Sequence, residues 1–220
     1  MTTNMTTQEK YTAWVDRVCE WIEKVGPKVD GSSSAMQSPP ALDGHCKILF
    51  LGHDAHEPDG FCGVDRKRFF EGNKNFEKAH RSWTIWNRPC NSLRRIGHAD
   101  ILEPGNFMLM NLFYFGADNI DEAVGNMRKE VMEQCIDFTE ELTRDIIKPQ
   151  VIVCFSEGSI FNLLRPRLTD TGRIPLAEGI AVSYGKWNGI PVIGMRHPSG
   201  HGITNEYLDT VFNYIIKQIK

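Results

Sequence analysis

The sequence predicts an α/β layered fold built on a central, mostly parallel sheet of four or five strands. Three observations predict it. Short continuous apolar runs recur at 47–51 (KILFL), 106–113 (NFMLMNLF) and 151–155 (VIVCF), the signature of strands buried on both faces. Helical patterns stand between them. An Asn188-Gly189 pair joins two further apolar runs, 180–183 and 191–195, and signals a tight hairpin.

Each element follows in order. Residues 8–25 read as a helix, with Trp14, Val18, Trp21 or Ile22, and Val25 recurring at helical spacing. Gly26-Pro27 stops it, and 26–44 is a Ser-, Pro- and Gly-rich connector. The helix is too short to fold alone, so 1–220 reads as a single domain in which 1–45 is an N-terminal helix and connector. Strand 47–51 runs into a loop, 52–61, crowded with His53, Asp54, His56, Glu57 and Asp59 at a strand's carboxyl end. Residues 64–95 mix basic side chains with Phe69, Phe70, Phe76, Trp83 and Trp86. They predict short helices and loops, and suit either a nucleic-acid surface or a partly buried helical layer. The strand at 106–113 contains Asn111, a buried amide that must find partners. Asp118, Asn119 and Asp121 cap a helical pattern that ends near Ile147, before Pro149. After strand 151–155, Ser156 caps a short helix over about 157–164. Residues 169–179 read as a loop. The last strand runs into Arg196-His197-Pro198-Ser199-Gly200-His201-Gly202, and Thr204 or Asn205 then caps a terminal helix.

The 220 residues suffice for one sizeable core, and 41% hydrophobic with 24% charged residues is a globular composition. A net charge of −3 excludes a polyanion binder that works by bulk charge and leaves room for a local basic cleft. No apolar run approaches the length of about 18 residues that a membrane span needs. The amino terminus shows no apolar leader core, which predicts a cytoplasmic protein. The six cysteines, Cys19, Cys46, Cys62, Cys90, Cys135 and Cys154, form no CxxC pair. They read as reduced thiols, and no metal or other cofactor is expected.

Three loops at strand ends can now be read together. Gly52-His53-Asp54-Ala55-His56-Glu57 follows the first strand, Leu109-Met110-Asn111 ends the second, and His197-Pro198-Ser199-Gly200 precedes the last helix. The ordered trio resembles the uracil-DNA glycosylase superfamily over roughly residues 47–220. The resemblance implies a three-layer α/β/α fold and hydrolysis of the N-glycosidic bond of uracil, or a related damaged base, in DNA. It implies Asp54 as the carboxylate beside the sugar and His197 as the donor to the departing uracil anion. Asn111 would read the edge of the base, with Phe69 or Phe70 stacked on it. Gly52, His53, His56, Ser199 and His201 would complete the substrate site. DNA containing uracil would be the partner of a monomer. The sequence departs from the family pattern at Ala55, where the family has Pro, at His56, where Tyr or Gly is common, at Gly200, in place of a second Pro, and at His201, in the wedge position. Two alternatives follow: a catalytically inactive or altered member that binds nucleic acid or a nucleobase, and a small-molecule α/β hydrolase using Asp54 and His197.

Overall fold

The computed structural model describes residues 5–25, 35–53, 64–115 and 129–219. A reciprocal capping box opens the first helix. Glu9 N–H donates to Thr6 Oγ1 at 3.2 Å, and Thr6 N–H donates to the Glu9 carboxylate at 2.7 Å. Helix α1, Thr7–Val25, buries a stripe of Tyr11, Trp14, Val15, Val18, Cys19 and Ile22, spaced by three and four residues.

Strands β1 (Ile48–Gly52), β2 (Phe107–Asn111), β3 (Val151–Cys154), β4 (Thr169–Ala177), β5 (Ile180–Trp187) and β6 (Ile190–Gly194) form one sheet in the order β2-β1-β3-β6-β5-β4. The first four of that order are parallel; β5 and β4 are antiparallel additions. The fold is therefore α/β with a six-stranded mixed sheet, larger than the four or five strands expected. The hairpin turn is where Asn188-Gly189 predicts it, with φ of 51° and 83°.

The missed strand is β4. Its residues are exposed or only partly buried, and the apolar alternation is limited to Ile174 and Leu176, too short to mark a strand. Gly172 and Pro175 read as loop punctuation. In fact β4 is an edge strand, where Pro is tolerated. Gly172 is there because a Cβ would lie 2.6 Å from the Tyr184 ring on β5.

Residues 64–95 form three helices: α2 (Arg66–Glu71), α3 (Phe76–Ser82) and α4 (Thr84–Arg95). Helix α5, Lys129–Glu141, continues through a wider π-type turn, Leu142–Ile147, and ends with Lys148 in the left-handed region at φ 50°. Its expected start near Asp118 lies outside the described residues. Helix α6, Asn205–Ile216, is capped by Thr204, whose hydroxyl accepts the Tyr207 N–H at 3.0 Å.

Alternation along the strands splits the core in two. Leu49 and Leu51 of β1 pack with α1 and α5; Ile48 and Phe50 pack with α4 and α6. The five described cysteines are free and buried. Burial pushes the thiols of Cys46, Cys90 and Cys135 up to about 12, which removes them as nucleophiles at neutral pH. Among the described residues no helix is long and apolar enough to cross a membrane.

Candidate functional site

Open parallel sheets bind ligands at the carboxyl ends of strands, where the strand order reverses. Here the chain leaves β1 for β2 on one side and then crosses to β3 on the other, so the reversal falls at the end of β1.

Asn111, the last residue of β2, pairs in register with Gly52, the last of β1. Its N–H donates to the Ala35 carbonyl at 2.7 Å, and the Leu112 N–H donates to Gly52 O at 2.8 Å. The side chain is buried, at 5% exposure. A Cβ on Gly52 would lie 2.5 Å from Asn111 Oδ1. Glycine at the end of β1 is thus what allows the amide to lie across it. Gly52→Ala is expected to displace that amide and cost about 1–3 kcal/mol, the range for overpacking a tight interior. Urea denaturation measures the cost; a midpoint equal to wild type would show that the amide swings away freely.

The second group comes from the loop after β6. Arg88 of α4 donates to the carbonyls of Pro198, at 2.8 Å, and Ile203, so one guanidinium ties both limbs of the loop. Gly200 N–H closes a turn on the His197 carbonyl at 2.8 Å. A Cβ on Gly200 would stand 2.9 Å from that same oxygen. Arg196 N–H donates to the Tyr207 hydroxyl at 2.7 Å. His197 is half-buried, with Nδ1 3.3 Å from Ser199 Oγ. Burial holds its imidazole below the ordinary value of 6.5, so the ring is neutral at pH 7. A Ser199 hydroxyl donating to Nδ1 leaves Nε2 as the N–H donor.

Strand parity fixes the face on which the amide lies. Gly52 and Asn111 continue the alternation of Ile48, Phe50 and Leu109, all on the α4/α6 side. Met195 lies on that side at the end of β6, just before the His197 loop. The ends of β2 and β6 are three strand spacings apart, about 14 Å.

Other expected groups go elsewhere. His53 sits on the opposite face, its ring edge-on to Phe113 at 4.7 Å. Phe69 is 2% exposed and meets the Trp14 ring at 6.0 Å. Phe70 meets the Tyr11 ring at 5.6 Å and lies under Arg66. Both phenylalanines belong to the α1 side of the sheet, which corrects the expectation that one of them stacks on a base beside Asn111. The burial of their ring faces against α1 is the reason. Ser199 and His201 are exposed on the last loop. Asp54 and His56, with Ala55, Glu57 and Asp59, lie outside the described residues.

Two contributors were missed in the sequence. Phe155, directly after β3, is fully buried and packs against Phe50 at 5.3 Å on the side of the sheet that carries Asn111. Its place as the last residue of an apolar run was the available signal. Arg88 had none, because its partners are carbonyls more than a hundred positions away.

The basic residues of 64–95 are largely engaged internally. Arg66 pairs with Asp16, Lys67 with Glu71 at 3.3 Å, and Arg95 with Asp209 at 2.7 Å. Arg68 reaches the Met36 carbonyl at 3.3 Å. Phe76, Trp83 and Trp86 pack on one another. Of the two readings of this stretch, the partly buried helical layer describes most of it. A cavity of about 380 Å³ opens beside these helices at the start of β2, away from the strand ends that carry Asn111 and His197.

No model of a known protein family matches the chain, and comparison with curated proteins finds no match.

Proposed function

We propose that the protein is a uracil-DNA glycosylase-type N-glycosyl hydrolase with the three-layer fold of that superfamily, releasing uracil or a related damaged base from DNA. The observations that support the reading are a buried amide at the end of β2, with Gly52 cleared for it, and a neutral imidazole on the loop that follows β6.

In this reading Asn111 donates to uracil O4 and accepts from N3–H; cytosine presents the reverse pattern, so the orientation of the amide sets specificity. Breaking the glycosidic bond leaves negative charge on the uracil ring and positive charge on the sugar. His197 donates to O2 as that charge develops, which is preorganised electrostatic stabilisation. Asp54, next after His53 in sequence, supplies the carboxylate that stabilises the sugar cation and positions water. The base leaves the stack to reach the pocket.

The internal engagement of Arg66, Arg68, Arg88 and Arg95 favours a second reading, a protein of the same fold that holds a nucleobase without cleaving it. One assay separates them. Wild type is expected to release free uracil from single-stranded or duplex oligonucleotides and leave an alkali-labile strand, and Asp54→Asn is expected to lose this activity. Uracil binding with no release selects the second reading. Asp54→Asn turning over as fast as wild type removes the glycosylase assignment.

A further inference from the structure

Helices α3 and α4 meet beside the start of β2, and the half-open cavity of about 380 Å³ lies between them and the 38–40 segment. That volume falls within the range of about 300–1,000 Å³ usual for small-ligand sites. One wall is aromatic. The rings of Trp86 and Phe107 lie 5.1 Å apart at 31°, and Phe76 meets them at 6.0 and 6.1 Å. The Cys90 thiol on the same wall carries no charge at neutral pH.

Two charged side chains complete the lining, Arg94 from α4 and Glu77 from α3. Neither belongs to an ion pair among the described residues, and they do not pair with each other. The Arg94 guanidinium makes one long contact, to Asn91 Oδ1 at 3.3 Å. A cation and an anion therefore share one slot, with flat π faces beside them.

We propose that this cavity binds a small planar aromatic anion, its ring against the partly exposed Phe76 and Phe107 and its charged group on Arg94. An arginine fork matches a carboxylate, sulfonate or phosphate in two parallel hydrogen bonds. The ring faces take a flat apolar body. Glu77 repels the anionic group, so the ligand has one favoured orientation. A neutral ring forfeits the ion pair. The site is independent of the proposed glycosylase function: Phe107 begins β2 and Asn111 ends it, about 13 Å away at the rise of an extended strand.

The test is titration of the full chain with 1-anilinonaphthalene-8-sulfonate, following dye emission and tryptophan quenching, with uncharged N-phenyl-1-naphthylamine in parallel. Saturable binding of one sulfonate dye per chain is expected. Arg94→Gln should weaken it about fivefold, a charge-assisted contact discounted for its exposure. Glu77→Gln should strengthen it about twofold by removing a screened repulsion. The neutral dye should bind more weakly, and His197→Asn should leave sulfonate affinity unchanged. Both lining substitutions are at exposed positions and keep the fold testable. Non-saturating binding, equal affinity in Arg94→Gln, equal affinity for the neutral dye, or loss of binding in His197→Asn each overturns the proposal.

Discussion

Replacing His197 by Asn is expected to slow uracil release by about 10²–10³-fold, the cost of losing one preorganised donor to a developing anion. The effect should appear in kcat, because the donor matters most when charge has moved onto the ring. The imidazole is held below its ordinary value of 6.5 by burial, so the neutral ring is the working form. Wild-type activity should hold on the acid side past 6.5 and then fall as the pH drops through that depressed value, and His197→Asn should lack this limb. Burial also couples His197 to stability. A group whose folded pKa is depressed favours the folded state above its ordinary value, and this contribution fades as pH falls from 6.5 through the depressed one. The urea midpoint of wild type should therefore drop more between pH 7.5 and 5 than that of His197→Asn. Arg88→Ala is the companion variant. It leaves the imidazole in place and frees the loop, so kcat should fall while the acid limb persists. Arg88→Lys should restore little, because one ammonium does not reproduce a fork that spans the Pro198 and Ile203 carbonyls. A pH profile with no acid limb in wild type would remove His197 from the chemistry.

Trp14→Ala is expected to cost about 3–5 kcal/mol of folding stability, the range for truncating a buried Trp. Trp14 is fully buried, stacks on Tyr11 at 5.6 Å, and meets Phe69 and Tyr114 edgewise at 6.0 and 6.3 Å. Its indole N–H donates to the Phe138 carbonyl at 3.0 Å, joining α1 to α5. A domain of this size has only about 5–15 kcal/mol to lose, so the variant should be marginal at 37 °C. Trp14→Phe should keep most of the packing and lose the hydrogen bond, a smaller cost of about 1–3 kcal/mol for the stranded carbonyl. Urea denaturation of both variants measures this. A loss under about 1 kcal/mol in Trp14→Ala would mean that α1 packs loosely enough to refill the space.

The elements with strong local signals were legible. Residues 47–51, 106–113 and 151–155 hold continuous apolar runs, and each contains a parallel strand in the structure. Asn188-Gly189 marked the hairpin because only a few residue pairs accept positive φ at both positions. Thr204 and the stripe on α1 were equally readable, since capping and helical spacing are local. Strand β4 was not, because its half-buried face carries only Ile174 and Leu176, too short an apolar alternation to mark a strand. The site was legible in part. Asn111 and His197 stood out as polar groups at the ends of apolar runs. The resemblance placed Phe69 or Phe70 in the base pocket, and packing against Trp14 and Tyr11 puts both on the other side of the sheet.

By itself, the sequence determined that this chain is α/β, where its parallel strands lie, and which loops carry an amide and an imidazole at strand ends. Those properties depend on neighbours within a few positions. Only the tertiary structure decided the strand order, the face on which each side chain falls, and which basic residues are already paired. Arg88 meets Pro198 and Ile203, and Gly52 makes room for Asn111, through contacts between segments far apart in the chain, and local sequence carries no record of such contacts.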